Sequence, residues 1–137
     1  MAPELAELFE VSSPLARRLA AAGPHPDLVA AARRLVPQLT EEEKVQTLNA
    51  HPRIGERPAN MSARSRAEQG DDVLPELERL NREYESRFGF RFVVFVNGRP
   101  KAEIVEVMRR RLGRSREEEM ADGLQAIVDI AASRLRS

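Results

Sequence analysis

The stretch Phe88-Gly89-Phe90-Arg91-Phe92-Val93-Val94-Phe95-Val96 decides the fold class of this 137-residue chain. It holds four of the five Phe residues, and its aromatic and β-branched side chains favour a strand. No other stretch of the sequence offers a second strand, and a lone strand would leave its backbone N–H and C=O groups unpaired. We therefore expect an all-α fold, a compact bundle of several short helices with this one buried extended segment crossing it.

Helix signals flank this segment on both sides. Four N-cap signals divide the chain: Ser13 with Pro14, Asp27, and the capping boxes Thr40–Glu43 and Ser115–Glu118. Apolar spacing predicts helices over 4–10, 15–22, 28 through 35, 41 up to His51, 73 to about 87, 101–112 and 116 through 135. The length and the absence of internal repeats predict a single helical domain over residues 1–137.

Composition argues against several classes of site and partner. Cysteine is absent, which removes disulfides, thiolate metal sites and cysteine nucleophiles, and two His residues make a metal site a poor expectation. The 22 basic and 22 acidic residues cancel, so no overall field attracts nucleic acid or an anionic membrane. The N-terminus lacks the basic start of a signal peptide, and no apolar run reaches the roughly 18 residues of a membrane span. We expect a cytoplasmic protein without a membrane partner.

One basic run, residues 109–116, is a candidate contact for nucleic acid. Its arginines fall in the last turn of one predicted helix, and Glu117 to Glu119 fall in the first turn of the next. The two helix dipoles favour this arrangement of charges, so a structural role is the stronger interpretation and no nucleic-acid partner is expected. A nucleic-acid regulator would instead show salt-dependent binding that is lost when residues 109–111 are mutated.

The candidate site lies in residues 50–69. His51 ends a predicted helix, and Pro52 biases it away from helical geometry, so the imidazole faces a loop. Ser65-x-x-Glu68 has the form of a helix cap, but a cap gives no reason for the adjacent Gln69. An imidazole, a hydroxyl, a carboxylate and an amide in one segment are the groups that move protons on a small polar substrate.

A second His-Pro pair, His25-Pro26, competes for this assignment. It lies in a Gly- and Pro-rich loop, and no Ser, Glu and Gln cluster follows it until after His51. We therefore expect His25 to be a surface loop histidine. A non-catalytic helical module that binds a ligand or partner remains the alternative to an enzyme.

Four motifs in order along the chain resemble one known family, the 2-oxo-4-hydroxy-4-carboxy-5-ureidoimidazoline (OHCU) decarboxylases of urate breakdown. The motifs are Ala50-His51-Pro52-Arg53-Ile54-Gly55-Glu56, Ser65-x-x-Glu68-Gln69, Phe88-Gly89-Phe90-x-Phe92-Val93-Val94-x-Val96 and Arg111-Leu112-Gly113-x-Ser115-x-x-x-Glu119. Leu8-Phe9-Glu10 and the closing Ile130-Ala131-x-x-Arg134-Leu135 extend the likeness over nearly all of the chain. Of the two His-Pro pairs, only His51 stands at the family's distance before Ser-x-x-Glu-Gln.

The resemblance implies a helical homodimeric enzyme that needs no cofactor or metal and converts OHCU to (S)-allantoin. It implies catalytic roles for His51 and Glu68. Substrate contacts are implied for Pro52, Ser65, Gln69, Arg134 and the backbone around Phe92 and Val93. Family members often have Pro where this chain has Arg91, a departure that concerns the outer wall of the pocket.

Overall fold

The computed structural model describes residue 5 and residues 8–10, 13–54 and 74–136. Within these ranges the chain is helical and contains no β-strand, which confirms the predicted all-α fold. The α-helices are α1 (Pro14–Ala21), α2 (Leu28–Leu35), α3 (Glu41–Asn49), α4 (Leu74–Phe88), α5 (Lys101–Arg111) and α6 (Arg116–Arg136), with a 3₁₀ turn at Val36–Gln38. Of the helix predicted over 4–10, Leu5, Leu8 and Phe9 are helical, and the other residues before Glu10 lie outside the described ranges. None of the described helices is long and apolar enough to cross a membrane.

The predicted caps begin the helices as expected. Ser13 Oγ accepts from the backbone N–H of Ala16 at 3.1 Å, and Asp27 Oδ1 accepts from that of Ala30 at 3.1 Å. Both capping boxes form: the Thr40–Glu43 pair at the start of α3 and the Ser115–Glu118 pair before α6. These caps satisfy the first backbone N–H groups of four helices, three of which have only eight or nine residues and cannot rely on length for stability.

The Phe-rich segment is extended and buried, as predicted. Residues 91–96 have no regular secondary structure, and Phe90, Phe92 and Val93 are buried in the core. The Tyr84 ring of α4 meets the rings of Phe92 and Phe90 edge-on, with centroids 5.2 and 6.1 Å apart. The segment therefore passes through the bundle along α4 and leads into a turn at Asn97, which has a positive φ of 48°.

The basic run pairs with carboxylates of this chain. Arg109 bonds Glu76 of α4 at 2.6 Å, Arg114 bonds Asp122 at 2.6 Å, and Arg116 bonds Glu41 of α3 at 2.9 Å. These contacts tie neighbouring helices together, which supports the structural interpretation of residues 109–116.

A buried polar network joins α4, α5 and α6; one family motif contains its residues Arg111 and Glu119, but the sequence predicts no contact between them. Glu119 is fully buried, and its Oε1 accepts from the Tyr84 hydroxyl and from Arg111 Nε, both at 2.7 Å. Arg114 Nε lies 3.4 Å from the other carboxylate oxygen. Burial and the Glu119 carboxylate raise the pKa of Tyr84 above its usual range. The Arg111 guanidinium also lies 4.7 Å from the centre of the Phe92 ring, so the network supports the extended segment.

Helix α3, which leads to His51, packs closely on α6 at Gly123. A Cβ placed on Gly123 would lie 2.8 Å from Leu48 Cδ2, and Leu48 is fully buried. The missing side chain at Gly123 thus allows the end of α3 to approach α6. This contact helps to position the C-terminal end of α3, which the candidate site follows.

Candidate active site

His51 lies just past the end of α3, as the sequence predicted. The helix ends at Asn49, Ala50 is its C-cap, and the His51 N–H donates to the Leu48 carbonyl oxygen at 3.3 Å. The residue is 3% exposed, whereas the following Pro52 is exposed. The imidazole therefore points into the protein at the point where the chain turns out towards solvent.

Arg91 of the extended segment fixes the backbone at this helix exit. Its N–H donates to Asn49 Oδ1 at 2.9 Å, and its guanidinium NH1 donates to the His51 carbonyl oxygen at 2.9 Å. Arg91, where members of the resembled family often have Pro, thus contacts the backbone of the candidate base. Proline could make neither hydrogen bond, because it lacks both the N–H and the charged side chain.

Replacing Arg91 by methionine is expected to lower kcat by about 10-fold, because a lost charged hydrogen bond of about 1.5 kcal/mol lets the His51 backbone shift. Steady-state turnover by the variant of the substrate that the family resemblance implies measures this effect. Arg82→Met, an exposed arginine replacement on α4, is the matched control and should turn over at the wild-type rate. Equal rates for the two variants would show that the Arg91 contact is dispensable.

The His51 imidazole faces a pair of charged side chains from the two ends of the chain. Its Nδ1 lies 3.9 Å from Glu10 Oε1. That oxygen accepts from Arg134 NH1 at 3.2 Å, and the same NH1 donates to the Leu8 carbonyl oxygen at 3.3 Å. His51 Nε2 is buried and has no hydrogen-bond partner among the described residues. The structure therefore brings His51 and Arg134, two of the predicted site residues, to one place.

Burial and the Arg134 charge lower the pKa of His51 to about 4. Both causes act against the imidazolium, the first through lost hydration and the second through repulsion. The Glu10 carboxylate would favour the imidazolium, but its pairing with Arg134 largely neutralises it. His51 is therefore an uncharged imidazole at neutral pH and can accept a proton.

The remaining predicted site residues divide into two groups. Pro52, Phe92 and Val93 are described, and the Phe92 side chain belongs to the core beside Tyr84. The backbone groups of Phe92 and Val93 make no hydrogen bond with the described part of the chain, so their predicted contact with substrate stays a prediction. The predicted residues outside the described ranges are Ser65, Glu68 and Gln69.

The other His-Pro pair has a structural contact. His25 Nε2 lies 3.0 Å from the carbonyl oxygen of Leu19, in the last part of α1. His25 is partly exposed in the loop between α1 and α2. This environment agrees with its assignment as a loop histidine.

Helix α4 anchors the start of the loop that follows His51. Arg53 makes a two-point ion pair with Glu85, at 2.7 and 3.0 Å. Asn81 Nδ2 donates to the Ile54 carbonyl oxygen at 2.9 Å. The path of the chain from the catalytic candidate towards residue 55 is therefore set by α4.

Two other kinds of site are relevant outside the surroundings of His51, a metal-binding cluster and a cavity. Within the described ranges no group of three His, Asp or Glu side chains could hold a metal ion. A cavity of about 520 Å³ opens between α2, α3 and α6, where Val36, Leu124 and Val128 line it. None of the predicted site residues lines that cavity, and it offers no imidazole. Of the described residues, the imidazole with charged neighbours is His51, beside Glu10 and Arg134.

Comparison with known proteins decides the family. The sequence model of the family described as OHCU decarboxylase matches residues 1–136. The chain belongs to the OHCU decarboxylase family.

Two relatives of similar sequence carry names from urate breakdown. The OHCU decarboxylase of Haloferax volcanii is 34% identical over 140 residues, which cover 94% of this chain and 83% of that protein. The uric acid degradation bifunctional protein PucL of Bacillus subtilis is 34% identical over 142 residues, covering 96% of this chain but only 28% of the bifunctional protein.

Solved structures share the fold. A crystal structure of an OHCU decarboxylase in the presence of (S)-allantoin superposes with a TM-score of 0.80 at 23% identity, covering 98% of this chain and 96% of the other. An (S)-allantoin synthase superposes with a TM-score of 0.71 at 24% identity, over 96% of this chain and 47% of the other. The helical bundle described above is thus the OHCU decarboxylase fold.

One residue of this OHCU decarboxylase site was missed by sequence reasoning. The sequence places Glu10 at the end of a predicted helix and in the family-like stretch Leu8-Phe9-Glu10, without a role in the site. In the structure its carboxylate lies beside both His51 and Arg134. The available signal was its place between an apolar helical pair and the Ser13 cap, where the chain must turn. The sequence alone does not show which residues a charged side chain in such a turn contacts.

Proposed function

We propose that this protein is a carbon–carbon lyase that decarboxylates OHCU to (S)-allantoin in urate degradation, with His51 as the general base. The observation that carries the proposal is the buried, uncharged imidazole of His51, held at a helix exit beside Arg134 in a chain of the OHCU decarboxylase family. A reaction that takes one proton from a small anionic substrate needs this combination of a neutral base and a cation.

The substrate's own structure makes a cofactor unnecessary in this mechanism. Decarboxylation leaves an electron pair on carbon, and many enzymes supply pyridoxal phosphate or thiamine as its acceptor. In OHCU a ring C=N bond is adjacent to the carboxylated carbon and can take the electron pair. The protein must orient the substrate, remove the hydroxyl proton, and deliver one proton to one face of the ureido-bearing carbon.

His51 Nε2 is the proposed proton acceptor, and Arg134 the proposed partner of the substrate carboxylate. A base with a pKa of about 4 is weak, but part of that lowering comes from the Arg134 charge. A substrate carboxylate bound beside Arg134 would add a negative charge near the imidazole and so raise the pKa of His51 when substrate arrives. Substrate binding therefore prepares the base for the proton transfer.

The remaining roles rest on the family's motifs. Glu68 is proposed to polarise the imidazole or the substrate hydroxyl, and Ser65 and Gln69 to bind the ureido group. Pro52 and the backbone of Phe92 and Val93 are proposed to line the substrate. The unpaired backbone groups of those last two residues, within the described ranges, support this assignment. We further propose a cytoplasmic homodimer.

The proposed function is tested by adding the protein to OHCU generated in situ from urate by the upstream enzymes. Carbon dioxide release should be faster than the uncatalysed decay in proportion to protein concentration. The alternative, a non-catalytic binding module, predicts release at the background rate even when the protein binds the intermediate.

The pKa of His51 predicts how kcat/KM changes at acid pH. Because the neutral imidazole is the active form and its pKa is about 4, kcat/KM should stay constant from about pH 8 to about pH 5 and fall only below that. Arg134→Gln removes a charge that disfavours the imidazolium, so its profile should begin to fall at a higher pH than that of wild type. OHCU is kept in a stock solution at neutral pH and diluted into each buffer, and the initial rates give both profiles.

Arg18→Gln, which removes an arginine paired with Glu43 on another face, is the control and should leave the acid limb in place. An acid limb near pH 6.5 in the wild-type protein, the ordinary value for histidine, would contradict the assignment of His51.

A further inference from the structure

Glu10 has a backbone conformation that its residue type does not favour. Its φ is +70°, in the left-handed region, directly after the helical residues Leu8 and Phe9. Residues with a side chain rarely adopt this conformation, and glycine or asparagine usually occupies it at a helix end. Strained positions of this kind cluster at functional sites, which directs attention to the Glu10 side chain.

The Glu10 carboxylate bridges the two site residues of the described chain. Its Oε1 lies 3.2 Å from Arg134 NH1 and 3.9 Å from His51 Nδ1. The three side chains differ in exposure: 4% for His51, 26% for Glu10 and 41% for Arg134. The carboxylate thus lies between a buried imidazole and a more exposed guanidinium.

This placement distinguishes the two imidazole nitrogens. A carboxylate on the Nδ1 side stabilises the tautomer that carries its proton on Nδ1, and the lone pair is then on Nε2. At 3.9 Å the interaction acts through charge, since the distance exceeds that of a hydrogen bond. Nε2, which has no partner among the described residues, faces away from the carboxylate and is the nitrogen suited to accept a proton.

We propose that Glu10 is a positioning residue of the decarboxylase site, which holds Arg134 beside His51 and keeps the imidazole proton on Nδ1. The inference rests on the proposed function and extends it to a residue at the other end of the chain. It assigns the Nδ1 side of the ring to Glu10. Of the described charged side chains, those that face the ring are Glu10 and Arg134, while Arg91 binds the His51 carbonyl oxygen.

The tautomer can be measured without turnover. Nitrogen-15 NMR of the substrate-free protein distinguishes Nδ1–H from Nε2–H, and the chain has only two histidines, so His25→Gln assigns the signals. We expect wild-type His51 to be protonated on Nδ1. Glu10→Gln should shift the population towards Nε2–H, whereas Glu43→Gln should not. Glu43 is a matched control because its side chain is 25% exposed and pairs with Arg18 away from the site.

Turnover and stability complete the test. Glu10→Gln and Glu10→Asn should each lower kcat about 10- to 100-fold, while Glu43→Gln keeps the wild-type rate. Glu10→Asn should not lower the Tm, because asparagine tolerates the positive φ. A residue that served only the fold would instead lower the Tm and leave the rate of the folded protein unchanged.

The outcomes separate the inference from the function it rests on. If wild-type protein does not accelerate OHCU decay, the proposed function fails, and the NMR result still judges the positioning role. If wild-type protein is active, then a proton on Nε2 in wild type, or a Glu10→Gln variant as fast as Glu43→Gln, overturns the inference.

Discussion

Replacing His51 by asparagine is expected to lower kcat for OHCU decarboxylation by about 10²- to 10⁴-fold, the usual contribution of a general base. Asparagine is polar and of similar size, but it cannot accept and return a proton near neutral pH. Single-turnover decay of OHCU with excess protein, corrected for the uncatalysed rate, measures the loss.

His25→Asn is the matched control for this substitution. It removes the other His-Pro histidine, whose contact is with the Leu19 carbonyl oxygen, and should keep the wild-type rate. A His51→Asn protein that is folded and turns over like His25→Asn would show that another group is the base.

Replacing Glu119 by alanine is expected to lower the free energy of unfolding by about 3–5 kcal/mol, the typical cost of breaking a buried ion pair. Glu119 is fully buried and accepts from Arg111 and Tyr84 at 2.7 Å. Without its carboxylate, the buried Arg111 charge and the Tyr84 hydroxyl lose their partner in the core. Urea denaturation followed by far-UV circular dichroism gives the difference.

Glu117→Ala is the control on the same helix turn. Glu117 is exposed, so its loss should cost less than about 1 kcal/mol through the helix dipole. Similar stabilities for the Glu119 and Glu117 variants would mean that the buried network contributes little to the fold.

The fold could be predicted because its signals are local in sequence. Each capping box lies within four residues, and the hydrogen bonds of both form as expected. The Phe-rich segment required one further step, the absence of a partner strand in the sequence, and the described residues contain no strand. Helix ends were less certain: α5 ends at Arg111, one residue before the predicted Leu112, which is its C-cap.

The site could be predicted only where its residues are close in sequence. His51 was found because the helix end and Pro52 are adjacent to it. The Arg91 contact with the His51 carbonyl joins residues 40 apart, and the ion pair of Glu10 with Arg134 joins residues 124 apart. Such contacts depend on how the helices pack. The family resemblance implies a substrate contact for Arg134, and it includes Glu10 in a matching stretch but gives it no role.

The buried Glu119 network was missed for a related reason. In sequence Glu119 is one of three consecutive glutamates in the first turn of α6, and the helix dipole accounts for all three equally well. The family motif that runs from Arg111 to Glu119 includes Glu119 but gives it no contact. The packing of α6 against α4 and α5 shows that Glu119 is buried, whereas Glu117 and Glu118 are exposed.

Circular dichroism of the allantoin formed from OHCU tests the central claim most directly, because delivery of one proton to one face creates the stereocentre. With wild-type protein, the account predicts optically active (S)-allantoin, formed faster than OHCU decays alone. Racemic allantoin formed at the uncatalysed rate in the presence of folded wild-type protein would contradict it.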